Sequence, residues 1–313
     1  MCNLPYTLTD EDNRPLPPAE AAKPLLGIIA SDGRKADVAE TIVGHWPFLS
    51  ETFHIVATSG TFSAIRIELD RAGIASAPHL ERLPEKTNGV LELTFRVVMG
   101  MCQVVVAFAD LDDVSLARPY HRALSRMCVV RGATVLHNQF GVDTYVDRVR
   151  NRRERAPASL LNVVSEALRT RPELLRPHLK RGAGGGSLAL VAHDARKTEM
   201  VAFVMRHRDK LRQIVDRGGR LLATGTTGGL VQRHTDVPVI RYDSGPKGGD
   251  IQIAHEARKG RCNGIIFFMD PLSAQPHIED IYALTEISAA YCPMGTDATR
   301  GESVLDQVTE ALG

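Results

Sequence analysis

Leu188-Ala189-Leu190-Val191 runs straight into Ala192-His193-Asp194-Ala195-Arg196-Lys197, and the same change from a short apolar run to a polar island recurs three more times. The later islands are Thr224-Gly225-Thr226-Thr227-Gly228, Ser244-Gly245-Pro246-Lys247-Gly248-Gly249-Asp250 and Asp270-Pro271-Leu272-Ser273-Ala274-Gln275-Pro276-His277. Leu188 to Val191, Arg220 to Ala223 and Gly264 to Phe268 read as strands buried on both faces, the pattern of an open parallel sheet. In such a sheet the residues just past the carboxyl ends of the strands line one crevice. The four islands are therefore expected to meet in space.

Their residue types describe a site for a small phosphorylated molecule. Two islands join hydroxyls to glycines in turns that precede helical patterns. Backbone N–H groups and a helix amino terminus can then hold a phosphate dianion, while Thr226, Thr227 and Ser244 donate hydrogen bonds. Lys197 adds a full positive charge. Asp250 opens a helix after a double glycine, and His193, Asp270, His277 and Asp280 are the remaining candidates for proton transfer. Each feature alone has an ordinary structural explanation: a turn, a hydrogen-bonded histidine, a strand end. Their conjunction favours a site. A phosphate cradle beside a carboxylate base suggests enolisation.

With the islands in this order and spacing, Ser187 to Gly313 resembles methylglyoxal synthase, the family that turns dihydroxyacetone phosphate into methylglyoxal and inorganic phosphate. The resemblance implies that Asp250 is the catalytic base. It implies substrate contacts at His193, Lys197, Thr224, Gly225, Thr226, Thr227, Ser244, Gly245 and His277, with Asp194, Asp270 and Asp280 as supporting carboxylates. The carboxylate removes a proton from the hydroxymethyl carbon, and a neutral histidine, His277, stabilises the oxyanion that develops on the carbonyl. Holding the bridging C–O bond perpendicular to the enediolate plane then expels phosphate. Fixed donors and Lys197 take up the phosphate charge, so no metal or organic cofactor is required. Family members usually carry a further tail with an arginine that reaches a phosphate site. Here the sequence runs to Gly313 after Leu305-Asp306-Gln307-Val308, and Arg300 is one candidate to replace that arginine. The same domain type also resembles the effector-binding region of carbamoyl phosphate synthetase, so a non-catalytic sensor of phosphorylated ligands is the alternative. A scaffold is the third reading.

The amino-terminal half repeats the pattern. Leu26-Gly27-Ile28-Ile29-Ala30-Ser31-Asp32-Gly33-Arg34-Lys35 parallels Leu188 to Lys197, and Ala57-Thr58-Ser59-Gly60-Thr61 parallels the Thr224 to Thr227 turn. Val104 to Asp110 lies 160 positions before Gly264 to Asp270, and the same offset pairs Cys102 with Cys262. A tandem duplication is expected. The chemistry differs between the copies: Asp250 faces Val90, His277 faces Ala117, Asp280 faces Tyr120 and His193 faces Ser31. Asp32, Lys35, Gly60, Thr61 and Asp110 remain, so the first copy is expected to bind an anion without turning it over, or to serve as an interface. Glu92 sits two residues along the helix from the position of the base and points elsewhere.

The expected fold class is α/β: two tandem doubly wound parallel-sheet domains, Rossmann-like and methylglyoxal synthase-like, each a three-layer α/β/α unit. The expected boundaries are a polar extension at 1–24, a degenerate domain at 25–150, an arginine-rich linker with a helix and a glycine-rich hinge at 151–186, and the catalytic domain at 187–313. A chain of 313 residues exceeds the usual limit for one core, and each copy of about 125 residues can bury its own. Lys+Arg 38 against Asp+Glu 37 leaves a net charge of +1, which argues for neither nucleic acid nor membrane as a partner. Met1 to Lys23 has no apolar run that could serve as a signal-peptide core, so a cytoplasmic protein is expected. Five cysteines without C-x-x-C spacing read as reduced thiols. The family resemblance implies a hexamer of single domains. A chain with two copies is therefore expected to be a homo-oligomer, with a trimer as the simplest form.

Overall fold

Apolar runs of four to seven residues become parallel strands in both halves of the chain. The computed structural model describes residues 23–85, 87–110, 119–155, 186–270 and 277–312. The chain divides into two compact units, Met1–Pro177 and His178–Gly313. The expected linker helix at 160–168 lies outside the described residues, as do most of the glycine hinge and nearly all of the amino-terminal extension.

The first unit contains β1 (Leu25–Ala30), β2 (His54–Ala57), β3 (Leu80–Arg82), β4 (Cys102–Phe108) and β5 (Thr134–Leu136), in the order β3-β2-β1-β4-β5. All of its neighbours pair in parallel. One face carries Leu26, Ile28, Ile55, Ala57, Val104 and Val106. These residues pack against Val38 and Ile42, Ile65 and Leu69, and Val142 and Val146 from the helices Lys35–Gly44, Ser59–Arg71 and Gln139–Arg155. The other face meets the helix Thr87–Val98, because a Cβ placed on Gly27 would lie 2.4 Å from Leu93 Cδ1. The last helix runs on to Arg155, and the guanidinium of Arg150 stacks 5.0 Å from the ring centre of Phe48.

The second unit contains β6 (Ser187–Ala192), β7 (Arg220–Ala223), β8 (Val239–Arg241), β9 (Gly264–Phe268) and β10 (Met294–Gly295), in the order β10-β9-β6-β7-β8, again all parallel. Position for position this is the strand order of the first unit. Side chains alternate across a strand. Leu188, Leu190, Leu221, Ala223, Ile266 and Phe268 accordingly pack with Met200, Phe203, Leu211, Val231 and Leu305 from the helices Lys197–Arg206, Arg208–Asp216, Gly225–Thr235 and Ala298–Glu310. The alternate residues Ala189, Val191, Leu222, Ile265 and Phe267 are also buried. On that side the helices Gly249–Arg258 and Ile278–Tyr291 pack on each other. Both units are thus α/β folds with helices flanking a parallel sheet. The chain direction across the second sheet reverses between β6 and β9, which leaves a crevice at the carboxyl ends of those two strands.

Among the described residues, no helix is long and apolar enough to cross a membrane. Cys102, Cys128, Cys262 and Cys292 are all free thiols.

Candidate active site

All four polar islands of the second unit sit at carboxyl ends of parallel strands. His193 follows β6, Thr224 follows β7, the Asp243 to Gly249 turn follows β8, and Asp270 follows β9. The crevice at the switch point is closed by a backbone bond: the N–H of Asp270 donates to His193 Nδ1 at 2.8 Å. An accepting Nδ1 carries no proton, so the neutral ring holds its hydrogen on Nε2. That Nε2 is buried without a hydrogen-bond partner. Burial lowers the His193 pKa below 6.5, against the opposing pull of the Asp250 carboxylate. His193 is therefore a neutral donor aimed by the backbone, and its ring is braced edge-on against Phe267 at 5.0 Å.

Asp250 stands in the first turn of the helix Gly249–Arg258 and is 1% exposed. Neither carboxylate oxygen has a hydrogen-bond partner. His277 Nε2 lies 3.3 Å from Asp250 Oδ2, close but not aligned as a hydrogen bond. Gly245 lies directly against both groups: a Cβ there would fall 2.8 Å from His277 Nε2 and 3.1 Å from Asp250 Oδ2. A buried carboxylate without donors is costly to a fold. Its position between an imidazole and a side-chain-free residue suits a group that must accept a proton from something else.

Beside this pair the turns present donors. The helix Gly225–Thr235 begins immediately after β7, so its first N–H groups have no partner within the helix. Thr224 and Thr227 are buried, with their hydroxyls 3.3 Å apart, while Thr226 is exposed on the same turn. Gly225 N–H donates to the Asp243 carbonyl at 2.9 Å, joining the turns after β7 and β8. Arg241 Nε donates to the Gly225 carbonyl at 3.1 Å. Lys197 pairs with Asp194, and this contact holds the Asp194 carboxyl below its usual range. Asp280 is fully buried in the first turn of the helix Ile278–Tyr291, and its backbone N–H donates to the His277 carbonyl at 3.0 Å. Residues 271–276 of the fourth island lie outside the described residues.

The described residues of the four islands thus fall at the same end of one sheet. His193, Asp250, His277, Gly245 and Asp270 are drawn together most tightly. Arg300 begins the helix Ala298–Glu310, where it pairs with Asp297; the Asp297 side chain also accepts the Arg300 N–H at 2.9 Å. Sequence reasoning missed Arg241, Asp243 and Gln252. The signal for Gln252 was available: one amide side chain between Ile251 and Ile253 in a helix buried from Gly249 to Ala257.

In the first unit, Ser31 takes the place of His193. Asp110 N–H donates to Ser31 Oγ, and Ser31 Oγ donates to Asp110 Oδ2, both at 3.0 Å. Lys35 pairs with Asp32 and lies over the amino terminus of the helix Ser59–Arg71, its Nζ 2.5 Å from where a Cβ on Gly60 would be. Arg82 donates to Ser59 Oγ from Nε at 3.1 Å and from Nη2 at 2.6 Å. Val90, at the position of Asp250, is buried, and Glu92 is taken by Arg96 at 3.3 Å. Ala117, at the position of His277, lies outside the described residues.

A family model described as an MGS-like domain matches residues 209–292. A methylglyoxal synthase of Thermus thermophilus is 42% identical over 120 residues, which is 38% of this chain and 91% of that protein. The methylglyoxal synthase of Cupriavidus metallidurans is 44% identical over 119 residues, 38% of this chain and 81% of that protein. Among solved structures, methylglyoxal synthase from Elizabethkingia anophelis NUHP1 is 37% identical. That match covers 38% of this chain and 76% of the other, with a TM-score of 0.35.

Proposed function

We propose that this chain, which belongs to the methylglyoxal synthase family, converts dihydroxyacetone phosphate to methylglyoxal and inorganic phosphate in its second unit. The observation that carries this reading is Asp250: a buried carboxylate with neither oxygen hydrogen-bonded, 3.3 Å from His277 Nε2, at the crevice of a parallel sheet. The phosphate rests on the N–H groups that open the helix Gly225–Thr235, with Lys197 supplying charge. Asp250 takes a proton from the hydroxymethyl carbon, and the electron pair moves into the carbonyl to give an enediolate. The donor for the developing oxyanion is proposed to be the Nε2–H of His193, fixed by the Asp270 N–H, rather than the His277 expected from the sequence, because His277 Nε2 lies 3.3 Å from the carboxylate that takes the proton. The C–O bond to the bridging oxygen then breaks and phosphate leaves with the bonding pair. The hydroxyl proton is lost as the aldehyde forms, and the remaining enol takes up a proton at its methylene carbon to become methylglyoxal. Overall one substrate gives two products, with no water consumed and no electrons exchanged with a co-reactant.

In this reading the first unit is a silent copy of the same domain, produced by tandem duplication. Val90 leaves it without a base, while Lys35 and Arg82 remain at the opening of the helix Ser59–Arg71 to hold an anion. The chain is proposed to form a homo-oligomer, a trimer in the simplest arrangement, and light scattering showing a stable monomer would remove that part.

The test is release of methylglyoxal and phosphate from dihydroxyacetone phosphate by the purified protein, with Asp250→Asn alongside. The expected result is equal release of both products and a loss of about 1,000-fold or more in the variant. Well-folded wild type that releases neither product would refute the lyase reading and favour a ligand sensor.

A further inference from the structure

Gln252 is fully buried two residues after Asp250, and its amide is used at both ends. Its Oε1 accepts the backbone N–H of Asp243 at 2.9 Å, and its Nε2 donates to Asp243 Oδ2 at 3.2 Å. Asp243 immediately precedes Ser244 and Gly245, and its carbonyl receives the N–H of Gly225. One side chain therefore ties the helix that carries Asp250 to the turn that lies against Asp250 and His277, and through it to the turn after β7.

The first unit shows what the fold needs at this place. Tyr242 N–H bonds the Ala223 carbonyl, and Leu83 N–H bonds the Ala57 carbonyl, each at 2.8 Å. A Cβ on Gly249 would lie 2.1 Å from the Asp243 carbonyl oxygen, and one on Gly89 would lie 2.4 Å from that of Pro84. The two turns superpose in these terms, with Pro84 where Asp243 stands. Proline has no N–H to donate. Glu92 occupies the place of Gln252 and pairs with Arg96 instead. The same strand order and the same close approach of helix to turn are built without the clamp. The unit that lacks it also has Val90 in place of the carboxylate. A pair of hydrogen bonds that the strand order and the helix–turn approach do not require, made beside Asp250, is best explained by the site.

We infer that Gln252 is a positioning residue which, through Asp243, holds the Ser244–Gly245 turn in register with Asp250 and His277. The inference rests on the lyase reading of the second unit. Its consequence is kinetic: a turn displaced by a fraction of an ångström leaves substrate bound but misaligned with the base, and turnover is sensitive to such shifts.

The experiment is a charge-transposition cycle with the full chain. Gln252→Glu sets a carboxylate against Asp243. Gln252→Glu combined with Asp243→Asn restores an acceptor for the backbone N–H and a donor between the side chains, at unchanged net charge. The single variant is expected to lose ~10- to 100-fold in kcat with KM moved less than ~3-fold, and the double variant to recover most of that loss. Gln252→Met, which keeps the volume without the charge, is expected to lose kcat similarly and serves if the single variant does not fold. Wild-type kcat in Gln252→Met, or a folded double variant as slow as the folded single one, overturns the inference. Calorimetric titration with phosphoglycolate separates this from failure of the lyase reading. If wild type binds phosphoglycolate without turning over substrate, the lyase reading alone fails. Phosphoglycolate carries a planar carboxylate where the enediolate forms, so its binding, unlike KM, depends on that alignment: the clamp then stands if Gln252→Met weakens it by ~10-fold and falls if it does not.

Discussion

Replacing Gly245 by alanine tests the geometry of the site with one methyl group. Its Cβ would sit 2.8 Å from His277 Nε2, where ordinary contact begins at 3.4 Å, and 3.1 and 3.4 Å from the two Asp250 oxygens. The shortfall of about 0.6 Å must be met by moving the imidazole, the carboxylate or the turn, and shifts of this size in reacting groups cost ~10- to 100-fold in rate. Gly245 is not among the residues with positive φ, so alanine meets no backbone strain. The position is half-buried at the rim of the crevice, and the thermal midpoint should stay within a degree or two of wild type, about the size of an ordinary surface change. The assay is methylglyoxal release at saturating dihydroxyacetone phosphate, with a melting curve on the same preparation. A folded Gly245→Ala protein with kcat within about twofold of wild type would refute the placement of Gly245 over the proton-transfer pair.

Two other expectations concern charge. Lys197→Ala removes the ammonium proposed to meet the phosphate and should raise KM for dihydroxyacetone phosphate by ~10-fold or more, whereas Lys35→Ala in the first unit should leave kcat and KM unchanged; steady-state kinetics of the two variants decides both. His193 is the source of a pH dependence. Its folded-state pKa lies below 6.5, so the unfolded chain binds more protons near that value. Its contribution to stability is therefore complete above pH 6.5 and is lost as pH falls from there through the folded-state value. Urea midpoints measured from about pH 7.5 down to about 5.5 should fall, and His193→Gln should flatten the slope.

The sequence alone determined much of this protein, because period and punctuation are local properties. Leu188 to Val191, Arg220 to Ala223 and Gly264 to Phe268 become β6, β7 and β9 as their unbroken apolar character requires. The polar islands end up at one edge, because parallel strands all deliver their following turns to the same side of a sheet. The expectation of two α/β units was legible in the same way, and the two sheets do share one strand order. Tertiary structure decided what depends on distance between turns. Nothing local in His193 or Asp270 says that the N–H of one bonds the ring of the other across two strands, which sets the tautomer. That Gly245 lies under His277 and Asp250 follows from the path of a turn. The clamp from Gln252 to Asp243 pairs residues nine positions apart whose types are unremarkable alone. Pro84 and Glu92 look ordinary in the sequence; only the turns after β3 and β8 show that they stand where Asp243 and Gln252 form the clamp. Composition and periodicity specify which faces are buried; the direction of a buried polar side chain is set by packing between elements, and only the folded chain contains that information.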